Sequence, residues 1–165
     1  FLCKCIYLVF PSDIKLNLKK LKNKSLNIFC LSQKYFKSKN NPILINSFQH
    51  DNVFQYKKGK KGSVIAFGFS AYKALEIIYK KNLDVDFYVI TDPLCKINFK
   101  LINKISKKFF LYIFEDSRSK VKNLDYIYDK ILRKNPKFDI KIFYREENKN
   151  KLKINDDKYK VNYEF

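Results

Sequence analysis

Glu115 and Asp116 stand side by side at the end of the apolar run Lys108-Phe-Phe-Leu-Tyr-Ile-Phe-Glu115. Adjacent carboxylates are suited to general acid–base work. If the run is a strand of an open α/β sheet, the pair lies at its C-terminal end, where such sheets place ligands. The plainer alternative is that Glu115 caps or pairs with a loop lysine. A second place is Gly68-Phe69-Ser70, a strand-to-helix turn whose free backbone N–H groups would attract an anion. One glycine makes a weak phosphate cradle, since the G-x-G-x-x-G pattern is missing. Capping of the following helix is therefore the simpler role for Ser70. Gln33-Lys34 follows the apolar run that ends near Leu31 and would put a positive charge at another strand end; a solvated lysine is the default there. Cys3 and Cys5 form C-x-C rather than C-x-x-C, and Cys30, Cys95 and the single His50 do not complete a zinc pattern. The cysteines read as buried and reduced. His50 has no Ser or Cys partner for a nucleophilic triad, so no complete catalytic set is visible.

The elements that would position these groups follow from hydrophobic periodicity. Ser63-Val-Ile-Ala-Phe67 is a continuous apolar run, as expected of a parallel strand covered by helices on both faces. Ala71, Ala74, Leu75, Ile78 and Tyr79 recur at helical spacing. Asp84–Thr91 reads as the next strand, Asn98 as the cap of a helix carrying Leu101, Ile102 and Ile105, and Lys108–Glu115 as a third strand. A polar loop, Asp116–Lys120, precedes a helix with Val121, Leu124, Ile127, Tyr128 and Ile131 that ends at Asn135-Pro136. Phe138–Tyr144 alternates and reads as a later, possible edge, strand. Strand, helix and strand in alternation predict an α/β domain with a mostly parallel sheet. Upstream, Ile6–Phe10 and Leu26–Leu31 predict two strands around a helix capped by Ser12 or Asp13, with an apolar stripe of Ile14, Leu18 and Leu21. That β-α-β piece is too small for its own core and reads as the tail of a preceding domain. Residues 37–61, with Asn40-Asn41-Pro42 and the basic run Tyr56–Gly62, read as a connector ending in a solvated turn.

Composition narrows the class. With 46% hydrophobic residues, 16 Phe and 12 Tyr, the 165-residue chain is too apolar for a disordered polymer. The net charge of +19 invites a nucleic-acid reading, but only Arg118, Arg133 and Arg145 among the 35 basic residues are arginine, the side chain suited to bidentate phosphate contacts. The charge is also uneven: residues 63–92 carry 3 basic and 4 acidic groups, while the lysines crowd the flanks. A basic RNA-binding α/β module is thus the reading of another class, and nucleic acid is not the expected partner. Leu2–Phe10 is too short and too interrupted by lysine to span a bilayer. The chain starts at Phe1 and contains no Met, which reads as a chain whose natural start lies upstream.

The order of elements resembles the last part of the transketolase-like thiamine-diphosphate enzymes, from about Ile6 to about Ile131. Val9-Phe-Pro11-Ser12-Asp13 is similar to their "APSD" strand-to-helix step, and Ser63–Phe69 to "VALLGYG". Leu94-Cys95-Lys96-Ile97-Asn98 resembles the "FCKPLD" stretch of 1-deoxy-D-xylulose-5-phosphate synthases, and Leu111–Ser117 their "LITVEEGS". The resemblance implies the end of a pyrimidine-binding domain at residues 1–38, a linker at 39–62, a transketolase C-terminal-like domain at 63–145 and a charged tail at 146–165. It also implies condensation of pyruvate with glyceraldehyde 3-phosphate in isoprenoid precursor synthesis. Thiamine diphosphate and Mg²⁺ would be held by upstream sequence, and the cofactor would stabilise the carbanion. This fragment would be inactive alone and would serve domain packing and the contacts of a homodimer, in a cytoplasmic or plastid-type compartment. The β subunit of a 2-oxoacid dehydrogenase and transketolase itself are the nearest alternatives. The arginine of the family's "YPRG", which helps hold the acceptor phosphate, falls at Gln33, with Lys34 beside it as a point charge. The glycines of "GGFG" are replaced by Arg118-Ser119-Lys120-Val121, and the expected later histidine is missing. A diverged enzyme and a domain retained for packing both remain open.

Overall fold

The computed structural model describes residues 4–19, 27–32, 42–48, 52–92, 97–115 and 125–144. Its centre is a run of four parallel strands: β5 (Gly62–Phe67), β6 (Val85–Ile90), β7 (Phe110–Glu115) and β8 (Asp139–Tyr144). Helix α2 (Ser70–Lys80) joins β5 to β6, α3 (Phe99–Ser106) lies between β6 and β7, and α4 (Asp125–Leu132) precedes β8. With β3 (Asn46–Phe48) and β4 (Val53–Lys57) the spatial order is β3-β4-β6-β5-β7-β8, so the chain moves outward from β5 in both directions and β8 takes an edge.

Every residue of β5 is buried because alternate side chains enter different cores. Val64 and Ala66 pack with Ala71, Ala74, Leu75 and Ile78 of α2. Ile65 and Phe67 pack with Leu101, Ile102 and Ile105 of α3 and with Ile127 and Ile131 of α4. This is the two-faced burial that the unbroken apolar run predicts. Asn98 caps α3 as expected, its Oδ1 accepting from the Leu101 N–H at 2.9 Å. The stripe of α2 needs one correction: Tyr79 is exposed and Ile77 is buried. Residues 121–124 of the fourth helical pattern lie outside the described residues.

The stretch read as a connector holds two strands, β3 (Asn46–Phe48) and β4 (Val53–Lys57), numbered within the sheet they join. They pair antiparallel, and β4 runs antiparallel to β6. The β4–β6 ladder skips Tyr56, a bulge of the kind that re-aims a side chain. Of the apolar stretch Ile43–Ile45, Ile43 and Ile45 are exposed while Leu44 packs against the α2-face core. Strands this short and polar carry almost no periodic signal.

Ahead of them, β1 (Lys4–Tyr7), α1 (Pro11–Leu18) and β2 (Asn27–Cys30) form a parallel β-α-β unit. It does not stand apart. Val9 and Phe10 enter the core on the α2 face, and the Tyr7 N–H donates to the Thr91 carbonyl at 2.8 Å, beyond the end of β6. The expected apolar stripe of α1 is overturned: Leu18 is 43% exposed and Ile14 only half-buried, while the polar Asp13 and Asn17 are fully buried. What α1 packs against decides this. Its inner face meets Tyr56, which offers a hydroxyl.

Candidate functional site

The C-terminal ends of the parallel strands are where an open α/β sheet presents a ligand crevice. Here the N-terminal unit closes over that edge. Gly68, just after β5, has φ +51°, a left-handed conformation that glycine adopts without penalty. A Cβ there would lie 3.1 Å from the Tyr7 ring, and Tyr7 also packs edge-on against Phe69 with ring centroids 5.2 Å apart. The Gly68 N–H donates to the Ile90 carbonyl at 3.0 Å. The turn that looked like an anion cradle is therefore covered by an aromatic ring, and its glycine N–H is already bonded.

Ser70 is the first residue of α2 rather than its cap; Phe69 holds the cap position and no side chain caps the helix. The expectation of a Ser70 cap is thus corrected. Its hydroxyl faces inward, accepting from the Phe67 N–H at 3.2 Å and sharing its proton between the carbonyls of Phe67 at 2.7 Å and Phe114 at 2.8 Å. It ties the end of β5 to the end of β7. Glu115 is the last residue of β7 and is buried, 1% exposed. Ser70 and Glu115 thus share one edge of the sheet, linked through the carbonyl of the residue before Glu115. Asp116, Gln33 and Lys34 lie outside the described residues, as do His50 and Cys95. Buried Thr91 and Asp92 complete the polar set at this edge.

The strongest polar constellations lie elsewhere, on residues that periodicity alone did not single out. At the opposite end of the sheet, Asp86 of β6 is 2% exposed. Its Oδ1 accepts from Gln55 Nε2 and from the Gly59 N–H, each at 3.1 Å. Its Oδ2 makes ion pairs with Lys108 at 3.1 Å and Lys104 at 3.7 Å, and Lys108 Nζ also donates to the Gly59 carbonyl at 2.5 Å. Burial, and then the Asp86 charge, push the Tyr88 hydroxyl upward. The Lys60 N–H donates to Asp84 Oδ1 at 3.0 Å. The basic Gly-containing turn is thus pinned by two aspartates instead of merely solvated. A charge inside an otherwise apolar strand, Asp86 in Val85–Ile90, is the sequence signal that would have found it.

Between the N-terminal unit and the sheet sits Asp13. Its Oδ2 accepts from the Tyr56 hydroxyl at 2.8 Å and from the Phe10 N–H at 3.2 Å. The second contact is the carboxylate half of a capping box. Burial pushes the Asp13 carboxyl from 3.8 up to about 6, only partly offset by hydrogen bonds from Tyr56 and the backbone of Phe10 and Val9. Burial, and then the Asp13 charge, push the Tyr56 hydroxyl well above its ordinary value. Tyr72 donates to the Val9 carbonyl, and Phe10 packs between Tyr56 and Tyr72 with centroids 4.8 and 4.9 Å away. This is a clasp between the β-α-β unit and the sheet.

Among the described residues no three His, Cys, Asp or Glu side chains gather to hold a metal ion, and no helix is long and apolar enough to cross a membrane. The covered Gly68 turn and the occupied Ser70 hydroxyl do not fit a diphosphate cradle.

No family model matches the chain, and no curated protein does. Among solved structures, a split-gene transketolase in an inactive β4 tetramer aligns with it at a TM-score of 0.57 over 88% of this chain. The fold is transketolase-like. The likeness is one of fold, at 13% identity, and this chain spans 49% of the length of that structure. The mostly parallel sheet flanked by helices is the fold expected of a transketolase C-terminal-like domain.

Proposed function

We propose that this chain is the C-terminal portion of a thiamine-diphosphate-dependent transferase, most like 1-deoxy-D-xylulose-5-phosphate synthase. In that reading it packs the upstream domains and a second subunit against each other. The observation that supports it is the docking of the β-α-β unit across the C-terminal edge of the sheet by Tyr7, Phe10 and Asp13. A ligand crevice at that edge is filled by the chain itself. The fold likeness over 88% of the chain supports the same arrangement. Thiamine diphosphate and Mg²⁺ belong to upstream sequence, and the Pro11-Ser12-Asp13 and Leu94-Cys95-Lys96 motifs favour the synthase over its relatives.

The test is a longer polypeptide that includes the upstream sequence. Titrated with thiamine diphosphate and Mg²⁺, it binds the cofactor, and this chain alone does not. Release of CO₂ from pyruvate that requires glyceraldehyde 3-phosphate assigns the synthase. Co-purification with a lipoyl-bearing partner would assign a 2-oxoacid dehydrogenase β subunit instead. A folded longer chain that binds no thiamine diphosphate would sink the proposal.

A further inference from the structure

Cys5 and Cys30 are separated by 25 positions and read from sequence as unrelated thiols, yet the structure places their sulfurs 3.2 Å apart. The register explains how. Strands β1 and β2 are parallel, with Cys5 opposite Ile28 and Tyr7 opposite Cys30. Side chains alternate between faces along each strand, so Cys5 and Cys30 share a face as diagonal neighbours. Both are half-buried and neither is in a disulfide, so a small oxidant can reach them. A disulfide bond is about 2.05 Å long, so the sulfurs need to close by only about 1 Å.

We propose that Cys5 and Cys30 are a redox-responsive dithiol that closes to a disulfide by exchange with a low-molecular-weight disulfide such as oxidised glutathione. One thiolate attacks a sulfur of glutathione disulfide, forming a mixed disulfide and releasing one glutathione thiol. The second cysteine thiolate then attacks the protein sulfur of that mixed disulfide and releases the second glutathione. Two electrons and the two cysteine protons end on two glutathione molecules. The bond ties together the two strands that flank α1, the helix bearing Asp13. It also fixes Tyr7, two residues beyond Cys5, whose ring covers Gly68. Oxidation therefore staples the unit that closes the C-terminal edge of the sheet. None of this depends on the thiamine reading.

The experiment equilibrates the full 165-residue chain in glutathione buffers from reducing to oxidising, then quenches by alkylation and maps peptides by mass spectrometry. The expected result is one two-electron transition, loss of alkylation at both Cys5 and Cys30 together, and a Cys5–Cys30 cross-linked peptide. Oxidised protein unfolds at a higher urea concentration than reduced protein. In Cys30→Ser the transition is lost, Cys5 stops at the glutathione adduct, and the urea difference vanishes. Cross-links through Cys3 or Cys95 instead, independent glutathione adducts on Cys5 and Cys30, or equal urea midpoints for oxidised and reduced chains would each overturn the proposal.

Discussion

The two ends of the parallel sheet are built on different physics. The N-terminal end, where β5 and β6 begin, is held by charge: Asp86 gathers Lys108, Lys104, Gln55 and the Gly59 N–H into one buried network. At the C-terminal end shape and neutral hydrogen bonds are prominent: Tyr7 lies over Gly68, and Ser70 bridges β5 and β7, beside buried Asp92 and Glu115. An enzyme of this architecture usually keeps its charged groups at the second end, because ligands bind there. Here the preceding β-α-β unit covers part of that end, and among the described residues the Asp86 ion pairs lie at the opposite one. The difference teaches that, among the described residues, charge and shape are used at separate ends of one sheet.

Breaking the charged end carries the largest expected effect. Asp86→Ala leaves Lys108, 16% exposed, without its counter-ion and removes the acceptor for Gln55 and Gly59. Loss of one partner from a buried pair costs about 3–5 kcal/mol, read as a fall in the urea midpoint at unchanged slope. Lys108→Met removes the other partner but leaves Asp86 with the Gln55 and Gly59 donors and the Lys104 ion pair, and costs less. Equal, negligible effects from both would mean that this end is not held by charge.

The clasp at Asp13 gives the next effect and ties it to pH. The folded carboxyl sits at about 6 against an ordinary 3.8, so between these values the folded state holds more protons than the unfolded one. Stability from this group is therefore full below pH 3.8 and declines as pH rises to about 6, by roughly 3 kcal/mol in total. Asp13→Asn removes that slope while keeping an acceptor for Tyr56. Stability profiles of the wild type and the variant that run parallel between pH 4 and 6.5 would refute the assignment.

The legibility of these features in the sequence follows from how local their causes are. The β5 run, the stripe of α3 and the Asn98 cap depend on neighbours three or four residues away, and all were readable. Asp13 was readable as a helix-start residue, but its burial depends on Tyr56, 43 positions distant, brought in by a bulge in a strand too short to announce itself. Cys5 and Cys30 meet only because of a strand register that composition does not encode. Ser70 was placed at the right turn with the wrong partner, because a hydroxyl at a helix start serves the helix or a neighbouring strand equally well until the sheet order is known.

The neutral end is tested by Gly68→Ala. At φ +51° an L side chain costs about 1–2 kcal/mol, and its Cβ presses on the Tyr7 ring at 3.1 Å. Combining it with Tyr7→Ala separates the two contributions: the backbone part persists, while the ring contact disappears. If Gly68→Ala costs the same with and without Tyr7, the ring does not close this edge, and the contrast between the two ends weakens.

The finest test is Tyr56→Phe, which removes one hydroxyl and nothing else. At pH 7.5 Asp13 is ionised and loses its 2.8 Å donor, costing about 1.5–3 kcal/mol for a hydrogen bond to a charged group. Because the Tyr56 hydrogen bond lowers the Asp13 carboxyl, its removal raises that carboxyl further above 6. The stability decline then extends to higher pH than in the wild type. Near pH 4.5 the carboxyl is protonated in the folded state, so the same substitution costs less. A Tyr56→Phe penalty that stays constant from pH 4.5 to 7.5 would assign the hydroxyl to packing alone. A penalty that grows with pH identifies it as the donor that keeps an unpaired buried carboxylate tolerable at the interface between the two units.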